Sequence, residues 1–120
     1  MGMTAEIEVV HKAKGTRLSV LAAPSFGAAI ERARREAAKT GHPAGPVGSY
    51  TARWVTWTHE LTLVQDPQGH RMTGDQPVIL ERSNDPEELT RIGRDYLRKH
   101  PQAWVVVSGV HGENAQTIQA

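Results

Sequence analysis

The sequence predicts an α+β fold of the ferredoxin-like (split βαβ) kind, a two-layer sandwich with both helices on one face of an antiparallel sheet. Three observations carry this. Two amphipathic segments, each with an N-cap residue and a stop signal, lie near positions 25–39 and 85–99. A 15-residue run at 50–64 alternates in the manner of a half-buried strand. After an extra N-terminal strand, the elements follow in the order β-α-β-β-α-β.

Residues 6–10 and 17–22 read as short strands joined by a hairpin turn in which Gly15 is free to take a positive φ. Ser25 suits the N-cap of the first helix, and Gly41 stands where helices commonly close. Phe26, Ile30, Ala33 and Ala37 make one narrow, alanine-rich apolar face. Residues 41–49, with their glycines and prolines, form a loop. The following alternation sends Val55, Trp57, His59, Leu61 and Leu63 one way and Trp54, Thr56, Thr58, Glu60 and Thr62 the other. It is longer than ordinary strands, so a bend or bulge is expected within it.

Asp66-Pro67-Gln68-Gly69 is a turn, and 65–76 has the composition of an exposed arm with Arg71 and Met72 near its tip. A strand at 77–82 precedes the second helix, where Asp85 caps, Pro86 takes the first position and Glu88 completes a capping-box pattern. Leu89, Ile92, Tyr96 and Leu97 are its apolar face, and His100-Pro101 ends it. Residues 103–108 are an apolar strand. The two helices share a faint echo at an offset of 59, with Ile30, Arg32 and Arg35 matching Leu89, Arg91 and Arg94.

At 120 residues the chain suits one α+β domain over 1–110 followed by a flexible C-terminal tail at 111–120. It holds no cysteine, which excludes a disulfide scaffold, thiolate metal ligation and a cysteine nucleophile. A net charge of +1 exerts no global pull on nucleic acid or anionic lipid. No signal-peptide pattern or membrane-length apolar run occurs, so a cytoplasmic location without membrane attachment is the expectation. Six histidines lack the spacing of a metal site, and the glycine-rich loop lacks a phosphate-binding pattern. No metal and no cofactor are therefore expected, and no catalytic residue can be assigned.

His59 and Trp57 are the candidates for a ligand pocket. The plainer reading of His59 is a core-edge imidazole satisfied by a neighbour; the functional one is a proton shuttle or ligand anchor. Trp57 and Trp104 sit in apolar alternations and read as core. Trp54, with Thr56, Thr58 and Glu60 on the polar face of the same run, is the candidate interface. Arg32, Arg35 and Lys39 on the first helix and Arg91, Arg94 and Arg98 on the second are candidates for contact with nucleic acid. Interleaved acids, with Glu31–Arg35 and Glu87–Arg91 in favourable order, make a solvated salt-bridged surface the plainer reading there.

The leading functional expectation is a non-enzymatic binding module that forms a homodimer through its sheet and takes a protein partner or small molecule. The alternatives are a cofactor-free enzyme of the dimeric α+β-barrel type with His59 in its pocket, and a nucleic-acid-binding accessory protein using the arginine ridge.

Overall fold

The computed structural model describes residues 5–41, 45–72 and 77–120. Among these residues the chain is α+β, with two helices and two antiparallel sheets, and it divides into two compact units, 1–56 and 57–120.

In the first unit, β1 (Glu6–His11) and β2 (Arg17–Ala22) form a hairpin whose turn places Gly15 at φ 68°, a conformation that glycine adopts without a Cβ penalty. The helix α1 (Phe26–Lys39) opens on Ser25, whose hydroxyl accepts from the Ala28 N–H. Gly41, at φ 82°, closes it. After a short 3-10 turn at Val47–Ser49, β3 (Tyr50–Trp54) returns antiparallel to β1, giving the order β2-β1-β3. Ile7 and Val9 from the central strand meet Ala29, Ile30 and Ala33 of α1 and Tyr50 of β3 in one core. Alanines on the helix let it sit close to the strands.

The second unit repeats that order of elements. Strand β4 (His59–Gln65) is central; β5 (Val78–Ser83) pairs one edge and β6 (Trp104–Gly109) the other. The helix α2 (Pro86–Lys99) lies between β5 and β6 in sequence, and a two-residue β7 (Gln116–Thr117) extends the sheet to the order β5-β4-β6-β7. Leu61, Leu63, Leu89, Leu97, Val105, Val107 and Ile118 form its core. The Asp85 side chain accepts from the Glu87 N–H. Here the expected capping box is relayed, because the Asp85 N–H donates to Ser83 Oγ and that hydroxyl donates to Glu88.

Several expectations change in the structure. The ferredoxin-like layer predicted from element order holds at the level of α+β class and antiparallel pairing. Its strands, however, group into a three-stranded and a four-stranded sheet, each packed on its own helix. The alternating run at 50–64 divides: β3 ends at Trp54 and β4 begins at His59. A strand persists only where a partner backbone continues, and β1, which pairs β3, begins at Glu6, opposite the Val55 N–H. The segment 111–120, expected to be a loose tail, contributes β7 and buries Ile118 in the core. Met72 packs against that same core and Arg71 bridges back to Gln65, so the described part of the expected arm folds onto its own sheet. Residues 42–44 and 73–76, which include parts of the predicted loop and arm, lie outside the described residues.

The internal echo also shifts by one residue. Caps at Ser25 and Asp85, helices beginning at Phe26 and Pro86, and buried positions Ala29/Leu89, Ala33/Gly93 and Ala37/Leu97 all align at an offset of 60. A one-residue error rotates a helix by about 100°. The arginines matched at 59 therefore occupy different faces, and the structural counterparts of Arg91 and Arg94 are Glu31 and Arg34.

Candidate functional site

Each central strand carries a buried glutamate on the face turned away from its helix. Ile7 and Val9 face α1, so strand alternation sends Glu8 to the opposite side, where its exposure is 0%. Arg17 donates to Glu8 Oε2 from Nε at 3.0 Å and from Nη2 at 2.7 Å, and Arg53 Nε lies 3.5 Å from Oε1. In the second unit Leu61 and Leu63 face α2, and Glu60 points away at 2% exposure. The Trp57 indole N–H donates to Glu60 at 2.8 Å, and the Arg82 guanidinium lies 5.2 Å from the centroid of that indole. Burying a carboxylate is costly unless it is paired and hydrogen-bonded; Glu8 is both, and Glu60 accepts the indole N–H.

Composition and periodicity flagged Glu60 but missed Glu8, Arg17 and Arg53. A usable signal existed. Opposite charges on the two strands of a predicted hairpin, each set among apolar residues, mark a buried pair.

The predicted interface set of Trp54, Thr56, Thr58 and Glu60 does not share one strand face. Thr56 and Thr58 lie between strands, and Glu60 is buried. Trp54 falls on the helix side of its sheet, in step with Tyr50 and Ala52, and its ring centroid is 5.3 Å from that of Phe26 at the start of α1. Phe26, Val47 and Trp54, at 39%, 40% and 45%, are the exposed large hydrophobic side chains among the described residues. All three belong to the first unit and flank β3.

Of the pocket candidates, His59 is half-buried at the start of β4, with Nδ1 at 2.8 Å from the Thr58 hydroxyl, and Trp57 is half-buried in the Glu60–Arg82 cluster. Trp104, expected in the core, is half-buried beneath Arg71, whose guanidinium lies 4.3 Å from its ring centroid. A cavity of about 430 Å³ opens beside it, walled by Leu97, Ala103, Ile118 and Thr117.

The six basic candidates behave differently from one another. Arg32 donates to the Ala22 carbonyl, Lys39 pairs with Glu36, and Arg98 pairs with Asp95 at 2.7 Å. Glu31 pairs with Arg34 rather than Arg35. Arg91 and Arg94 line a notch of about 330 Å³ with Thr90 and Glu87. Among the described residues, no group of three or more histidines and acids is placed to hold a metal ion, and no helix is long and apolar enough to cross a membrane. Searches of family models, curated proteins and solved structures find no match to the chain.

Proposed function

We propose that the chain is a binding module that docks a second copy of itself along β3. The observation that carries this reading is that, among the described residues, the exposed large apolar side chains are Phe26, Val47 and Trp54, all around one strand. That strand is the outer member of the order β2-β1-β3, so among the described residues no strand pairs with its other edge. An edge of this kind accepts an antiparallel copy about a two-fold axis, which brings each aromatic pair against the partner's strand. Aromatic side chains suit this role because they bury large area with few rotatable bonds.

Analytical ultracentrifugation across a concentration series tests it. The wild type is expected to show a monomer–dimer equilibrium that Trp54→Ala and Phe26→Ala each weaken by about tenfold or more. Unchanged circular dichroism is expected, because both rings are partly solvated. A wild-type chain that stays monomeric throughout would overturn the reading.

A further inference from the structure

We infer that the outer face of α2 is a phosphate-binding site, built by the guanidinium groups of Arg91 and Arg94. The argument is independent of the aromatic surface. These residues stand three apart on the helix, so their side chains are neighbours on one face. Together with Thr90 and Glu87 they line the open notch of about 330 Å³. Among the described residues neither guanidinium takes part in a hydrogen bond or an ion pair, although Asp95 and Glu87 are close in sequence. Asp95 is engaged by Arg98 instead, and the Thr90 hydroxyl donates to the Pro86 carbonyl.

Two like charges at this spacing weaken a helix. The first unit shows how the same fold avoids that cost. Its equivalent positions hold Glu31 and Arg34, which pair at 3.4 Å, and Arg34 also donates to the Gly45 carbonyl at 2.8 Å. The second unit has an arginine where the first has that glutamate, and its two guanidiniums are left facing solvent. Two planar forks beside a concave space match the several acceptor oxygens of one phosphate group. With Glu87 in the wall, the notch carries two positive charges against one negative, suiting a single phosphate more than a dense polyanion surface.

The phosphate could belong to a nucleic-acid backbone or to a small phosphorylated compound, and one experiment separates them. A fluorescent single-stranded oligonucleotide is titrated by anisotropy, and pyrophosphate by calorimetry, against wild type, Arg91→Ala/Arg94→Ala and Arg35→Ala. Oligonucleotide affinity that drops at least about tenfold in the double variant, with a salt slope shallower by about 1.4, assigns the site to a nucleic-acid backbone. Pyrophosphate binding lost in the double variant, with no oligonucleotide binding by the wild type, assigns it to a small phosphorylated ligand. Arg35→Ala, on α1, is expected to bind as the wild type does. A further variant, Arg91→Glu, copies the first unit's glutamate–arginine pair onto α2. It is expected to abolish binding, because it reverses one of the two charges that hold the phosphate. Failure of both probes to bind the wild type, or equal binding by the double variant, would overturn the inference.

Discussion

The two units follow one plan, strand, strand, helix, strand, with the first strand central and the helix capped at equivalent positions. They differ in what fills it. The stripe of α1 that meets its sheet is Ala29, Ala33 and Ala37; the same stripe of α2 is Leu89, Gly93 and Leu97. At Gly93 α2 comes close to its sheet: a Cβ there would lie 3.2 Å from Leu61 Cδ1 and 3.3 Å from Ile118, so those side chains would have to give by a few tenths of an ångström. One unit thus packs mostly by alanines beside Ile30, the other by leucines around one point of close approach. The faces turned away from the helices differ as well. Glu8 meets Arg17 and Arg53 there, and Glu60 accepts an indole N–H with Arg82 beside the ring.

The largest expected effect tests the buried charge of the first unit. Arg17→Met keeps most of the side-chain volume and removes the double hydrogen bond to a fully buried carboxylate. A loss of about 3–5 kcal/mol is expected in urea unfolding, because the uncompensated charge dominates. A loss under about 1 kcal/mol would mean that Arg53 alone satisfies Glu8, and the contrast with Glu60 would largely disappear.

Next comes core size at one repeat position. Leu89→Ala should cost about 3 kcal/mol through lost burial and the remaining cavity. Ala29→Gly, at the equivalent place in α1, should cost about 1 kcal/mol, mostly through backbone freedom. Urea denaturation measures both. Equal costs would show that the leucine site collapses around the deletion, and that the two packing schemes are energetically alike.

These contrasts also mark what could be read without a structure. Both helices, their caps and the hairpin turn were legible, since each depends on residues within a few positions of one another. The single strand with a bend or bulge expected over 50–64 is instead two strands in two sheets, and that break was hidden. Whether the strand resumes in the same sheet depends on where β1 begins, fifty residues earlier. Trp54 was legible as exposed, while its partner Phe26 was read as part of the helix's apolar face. Nor could local pattern give the true repeat register, because the arginine echo at 59 competes with the cap and core match at 60. The buried Glu8–Arg17 pair needs strand pairing to be seen at all.

The smallest expected effect lies in the alkaline limb of stability and belongs to the second unit. Burial, and then the negative charge of Asp66, push the Tyr96 phenol above its usual value. Its ring also lies against His100, with centroids 4.6 Å apart. A phenol whose folded pKa is raised is neutral when folded at a pH where the unfolded chain has begun to ionise it. The unfolded state then binds fewer protons, so stability falls as pH rises. The contribution is therefore complete below the unfolded value of about 10 and is lost as pH climbs from there through the higher folded value. Lysines titrate in the same window, so the useful quantity is the difference between wild type and Tyr96→Phe. The urea midpoint of Tyr96→Phe should decline less steeply above that pH, with the two curves parallel below it. Curves parallel throughout would mean that the phenolate is solvated as well in the folded unit as in the unfolded chain, and that Asp66 exerts no measurable force on it.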